Sequence, residues 1–126
     1  MSIEAARKII SDNCFCEENS FVFLLHENCR FSVEKFWEYY DSITALAGID
    51  ASEKNFELTM QINLSYQRIL KEIIAHFDPN DAAVFENFPD NYTEYIERLD
   101  FAVLAYFSGD ISLIDDKRFE LQKWGA

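Results

Sequence analysis

His76 stands one helical turn after Glu72, the spacing at which a carboxylate can orient an imidazole as a general base. The same place, near the end of a long apolar run, suits a histidine whose charge answers the negative end of a helix dipole, and that is the better reading. His26-Glu27 opens the pattern of a zinc protease, but Asn28, Cys29 and Arg30 follow and the second histidine is missing. There is no Glu-x-x-His pair for a di-iron carboxylate bundle, no glycine-rich phosphate loop and no G-x-S-x-G turn. One set has metal-type ligands: Cys14, Cys16, His26 and Cys29 fall within sixteen residues. Zinc accepts three cysteines and a histidine, yet its sites usually open with two to four residues between the first cysteines, and here there is one. These residues read better as core and surface thiols. The sequence implies no catalytic residue, resident metal or cofactor.

Carboxylates are more telling. The 126 residues carry 23 Asp and Glu against 11 Lys and Arg, a formal charge of −12. Regional charge is −2 over residues 1–30, −4 over 31–78 and −6 over 79–126. From Asp78 to Asp116 there are ten carboxylates and one base, Arg98. Glu34, Glu38 and Asp41 follow one another at i, i+4 and i+7, a continuous helical stripe beside Tyr39. Glu94, Glu97 and Asp100 share a flank with Tyr95. Like charges so spaced cost a helix a few tenths of a kcal/mol per pair, which a partner could offset. A solvated face on an acidic protein is the plain alternative. With the tyrosines exposed, both stripes would suit a surface that steers and anchors a basic partner.

Helical periodicity must position these groups. Ser2 caps a first helix to about Asp12, and FVFLL between Asn19 and Asn28 fits a helix or a buried strand, with the helix favoured. Ser32 caps a helix that Gly48 stops, carrying Val33, Phe36, Trp37, Tyr40, Ile43 and Ala47 inward. Asp50 and Glu53 form a capping box for a long helix to Phe77, with Phe56, Met60, Leu64, Ile69, Leu70, Ile73, Ile74 and Phe77 on a wide apolar face that makes it central. Pro79 closes it, and a short helix over Asp81 to Asn87 precedes Pro89. Asn91 and Glu94 form a second box, opening a helix to Gly109. A last helix spans Asp115 to Trp124 with Phe119 inward. The expectation is an all-α, compact, single-domain bundle of six to seven helices over residues 1–126.

Composition narrows the function. Apolar residues make up 49% of the chain, aromatics 16%, and twelve are Phe, which excludes disorder. Three Gly and two Pro are too few for a turn-rich β sandwich or barrel. No apolar run approaches the roughly 20 residues of a membrane span, no secretory signal is visible and the cysteines are odd in number, so a cytoplasmic protein is expected. A charge of −12 repels nucleic acid and anionic membranes, attracts basic partners and favours a monomer when free.

Size, acidity, helicity and lack of catalytic machinery together resemble the immunity proteins of bacterial nuclease toxin systems, the contact-dependent inhibition and colicin types. The resemblance covers the whole chain as a profile and rests on no diagnostic motif. It implies a non-catalytic cytoplasmic protein that occludes the cleft of one cognate basic nuclease toxin domain, with a ribonuclease favoured. The partner-binding residues expected from the stripes are Glu34, Glu38, Tyr39, Asp41, Glu94, Tyr95, Glu97 and Asp100. Two other readings stand beside it: an acidic DNA mimic that inhibits a DNA-binding enzyme, and a small zinc-binding protein using Cys14, Cys16, His26 and Cys29.

Overall fold

Serine and asparagine caps set the start of four of the five helices. In a computed structural model that describes residues 1–81 and 84–123, these are α1 (Ile3–Cys14), α2 (Phe21–Glu27), α3 (Val33–Ala47), α4 (Phe56–Phe77) and α5 (Tyr92–Ser108). Ser2, Ser20, Ser32 and Asn55 each accept the backbone N–H three residues on, at 2.9–3.2 Å, satisfying a donor that a helix start leaves orphaned. The architecture is all-α as expected, with five α-helices among the described residues rather than six or seven. Among the described residues the only β-type pairing is one parallel bridge, Arg30 to Glu86.

Helices α1, α3, α5 and α4 pack in that order as an irregular ring, with α2 against α4 at one end. The α4–α5 side is the loosest. Phe21, Phe31, Phe36, Trp37, Tyr40 and Tyr95 form an edge-to-face and stacked aromatic cluster, with neighbouring centroids 4.8–6.5 Å apart. The 510 Å³ groove described below lies on the outer side of α3, over one edge of this cluster.

Five expectations about elements are corrected. Asp50 opens only a 3-10 turn, Ala51–Glu53, without a side-chain cap. Lys54 then leaves the helical region, its ammonium held by the Ala47 and Tyr106 carbonyls at 3.0 and 2.8 Å, and Asn55 caps α4 instead. The face α4 buries is Leu58, Ile62, Ser65, Ile69 and Ile73; Phe56, Met60, Leu64, Ile74 and Phe77 are exposed, so α4 is an edge helix and not the central one. Asn91 does not cap α5 through its oxygen: its Nδ2 donates to Glu94 at 2.7 Å. The short helix expected over Asp81 to Asn87 is irregular chain where described, with Ala82 and Ala83 outside the described residues. There Glu86 N–H donates to Cys29 O at 2.7 Å and Phe31 N–H to Glu86 O at 3.0 Å, which fixes an extended backbone.

The expected last helix is replaced by 3-10 turns Ile111–Ile114 and Asp116–Arg118 and then non-helical chain to residue 123; Trp124 lies outside the described residues. Arg98 is the reason. It is 1% exposed, and its Nε and NH2 donate to Leu121 O at 3.0 and 2.6 Å. Its NH1 donates to Asp116 at 2.8 Å and to the Tyr40 hydroxyl at 3.0 Å. A helix would engage the Leu121 carbonyl internally, whereas here it answers a buried guanidinium. Phe119 is buried as expected, 4.2 Å beneath that guanidinium and against Phe101.

Candidate acidic interface on α3

Ser32 starts α3 so that Glu34, Glu38 and Asp41 project along one flank. Trp37 lies between them, packed edge-on against Phe36 and Tyr40. Together with Met1, Val33 and Lys123 these residues line a groove of about 510 Å³. Its floor is apolar and its rim carries three carboxylates. Lys35 reaches Glu38 at 3.2 Å, and Lys123 pairs with Asp41. Glu34 has no ion-pair partner among the described residues; its own backbone lies in the first turn of α3, where the helix dipole favours a carboxylate.

The α5 stripe is less available. Glu94 is engaged by Asn91. Asp100 lies beside Tyr66 of α4, and burial, reinforced by that carboxylate, pushes the Tyr66 hydroxyl up to about 12. Only Glu97 of this stripe has no side-chain partner among the described residues.

Tyr39 and Tyr95, expected as exposed anchors, are core residues at 0% and 8% exposure. Tyr39 donates its hydroxyl to Ser65 at 2.6 Å, and Ser65 donates onward to Ile62 O at 3.1 Å. Burial, the main cause, raises the Tyr39 hydroxyl well above 10.0. The Tyr95 ring is enclosed by Phe31, Phe36 and Trp37. The aromatic beside the acids is Trp37, which periodicity assigns to the core and which is buried there at 6% exposure. Lys123 went unrecognised because a terminal helix was expected around it.

A carboxylate does orient an imidazole, but not the pair the sequence suggests. Glu72 meets His26 of α2 at 2.6 Å. His76 turns inward, accepts the Phe85 N–H at 3.0 Å and stacks on Phe88. The pocket at His26, about 310 Å³, is lined by His26, Lys71, Glu72, Ala75 and Asp81, and none of these supplies a hydroxyl or thiol nucleophile. Cys14, Cys16, His26 and Cys29 do not converge: among the described residues no group of three or more His, Cys, Asp or Glu is placed to hold a metal. All three cysteines are free thiols, and burial raises Cys14 and Cys16 against the opposing charge of Arg68. No helix among the described residues is long and apolar enough to cross a membrane.

Comparison with models of protein families, with curated proteins and with solved structures finds no match to this chain.

Proposed function

We propose that this chain is an inhibitory binding protein of the immunity type, which neutralises a basic nuclease domain by covering its phosphate-binding cleft. The observation that carries the reading is the α3 groove, an apolar floor beside Trp37 ringed by Glu34, Glu38 and Asp41 on a protein of charge −12. A nuclease that holds phosphates with Lys and Arg presents the complementary surface. The carboxylates would draw that cleft in at low ionic strength, and contact over about 1,600 Å² with a few buried anchors would hold it. Inhibition needs no chemistry from this chain, only bulk where RNA would lie.

The test uses the purified protein as bait in lysate at low and high salt. Proteins released by salt are identified and assayed for RNA and DNA cleavage, with and without equimolar bait. The expected result is one basic protein whose nuclease activity is lost at a 1:1 ratio. Retained proteins without nuclease activity, or a nuclease fully active under saturating bait, would overturn the reading.

A further inference from the structure

We infer that the groove beside Trp37 is a socket for one lysine or arginine side chain of the basic partner, and that Lys123 occupies its acidic rim until that side chain displaces it. This rests on the function proposed above and names the contact through which it would act.

The groove already holds an ammonium. Lys123 lies along it and pairs with Asp41, both side chains about one-third exposed. An aliphatic stem on Trp37, Val33 and Met1, with its charge at the rim, is how long basic side chains cover apolar surface. Trp37 is 6% exposed and the Arg98 guanidinium already lies 5.3 Å from its ring centroid, so what it offers an incoming stem is an apolar edge and not an open ring face. The rim has room for a further charge: Glu38 pairs with Lys35 and Asp41 with Lys123, while Glu34 has no ion-pair partner among the described residues, although Met1 with its α-ammonium also lines the groove.

Displacing Lys123 requires no unfolding. The segment before it is fastened independently, by Arg98 on Leu121 O and by the Gln122 amide on the Asp116 and Phe119 carbonyls at 2.9 and 2.8 Å. Only the Lys123 side chain must swing away. A part-exposed ion pair is worth at most about a factor of five in equilibrium, so a partner cation with better stem contacts wins the exchange. Lys123 thereby raises the threshold for weakly fitting cations without barring a cognate one.

The experiment takes the full chain with Trp124→Phe, which leaves Trp37 as the sole indole, since the sequence has two Trp. A peptide of alternating leucine and lysine is titrated in about 0.15 M salt while Trp37 emission is followed. Binding should shift the emission, and Glu34→Gln with Glu38→Gln should weaken it by about tenfold. Glu53→Gln with Glu57→Gln removes the same charge from exposed positions outside the groove and should change it by less than about twofold. Lys123→Gln should tighten binding by about threefold by freeing Asp41. Equal weakening by both glutamate pairs, or binding without any change at Trp37, overturns the socket while leaving an acidic inhibitor intact. Unchanged or weaker binding by Lys123→Gln overturns the displacement. Failure of every form, the Trp124→Phe parent included, to bind the peptide even at low salt overturns the socket and the proposed function together.

Discussion

Arg98 shows how far one side chain can decide a local structure. Its guanidinium makes four hydrogen bonds and lies over Phe119, Trp37 and Tyr40 while almost wholly buried. Arg98→Met keeps the stem packing but strands the Leu121 carbonyl and loses charge-assisted bonds, so urea unfolding should register a loss of about 3 kcal/mol. Asp116→Asn should cost under about 1 kcal/mol, because that carboxylate is 77% exposed and water replaces the ion pair. An equal loss in both variants would mean that the ion pair, and not the buried carbonyl, is what holds the segment. The sequence marks Arg98 only as a lone base among ten carboxylates, which reads as a surface charge. Tyr39 is illegible for a related reason: a phenol beside an acidic stripe looks amphipathic until Ser65, twenty-six residues on, supplies its buried partner. Burial raises Tyr39, Tyr40, Tyr66 and Tyr95 above 10.0. The unfolded chain therefore ionises first, and the stability these phenols lend is whole below pH 10 and declines as pH climbs toward their folded values. Urea midpoints should fall between pH 9 and 11, and fall less steeply in Tyr39→Phe; equal slopes would contradict that burial.

At the scale of elements, the sequence shows helices where a short polar cap precedes a one-sided apolar period. Ser2 and Ser32 satisfy this, and α1 and α3 begin where expected. Long α4 defeats it because its apolar residues occupy nearly every angle, so periodicity cannot choose a side. Tertiary packing chooses Leu58, Ile62, Ser65, Ile69 and Ile73, at the cost of a serine in the core and five large apolar residues facing out along the helix. Ile62→Ala should cost about 3 kcal/mol and Leu64→Ala under about 1 kcal/mol. The reverse order would restore the face that periodicity suggests. The end of α1 is also hidden in the sequence, because its left-handed residue is Cys16 and not glycine, at φ 55°. Cys16 N–H donates to Asn13 O and Glu17 N–H to Asp12 O, a Schellman closure made at a position where a side chain is strained. Cys16→Gly should stabilise the chain by about 0.5–1 kcal/mol in thermal unfolding, opposed by the side chain's lost packing and by the backbone freedom glycine adds to the unfolded chain. A loss larger than that would show the thiol to be a packing residue first. The α3 groove is half legible: its three carboxylates are set by spacing, whereas Lys123 arrives through a segment whose path depends on Arg98.

For the molecule as a whole, charge is a standing load. Among the described residues four carboxylates pair with a lysine or arginine, while the chain carries 23 carboxylates and a net −12. These pairs are mostly on the surface and contribute little each, so the compact state works against its own field. Raising sodium chloride from about 0.02 to 0.5 M shortens the Debye length from roughly 20 Å to 4 Å and should therefore raise the melting temperature by several degrees. A basic partner would relieve the same repulsion, so its association should slow over the same salt range in which the free protein grows more stable. That opposition of signs separates a face shaped for a basic surface from plain solvation. If the melting temperature fell with salt, the native ion pairs would outweigh the repulsion, and the excess carboxylates would have to be spread too thinly to steer anything. If it rose while α3 reversals such as Glu34→Lys left the association rate unchanged, the load would be real but its release would lie on another face, with Glu97 and Asp100 of α5 the next to reverse.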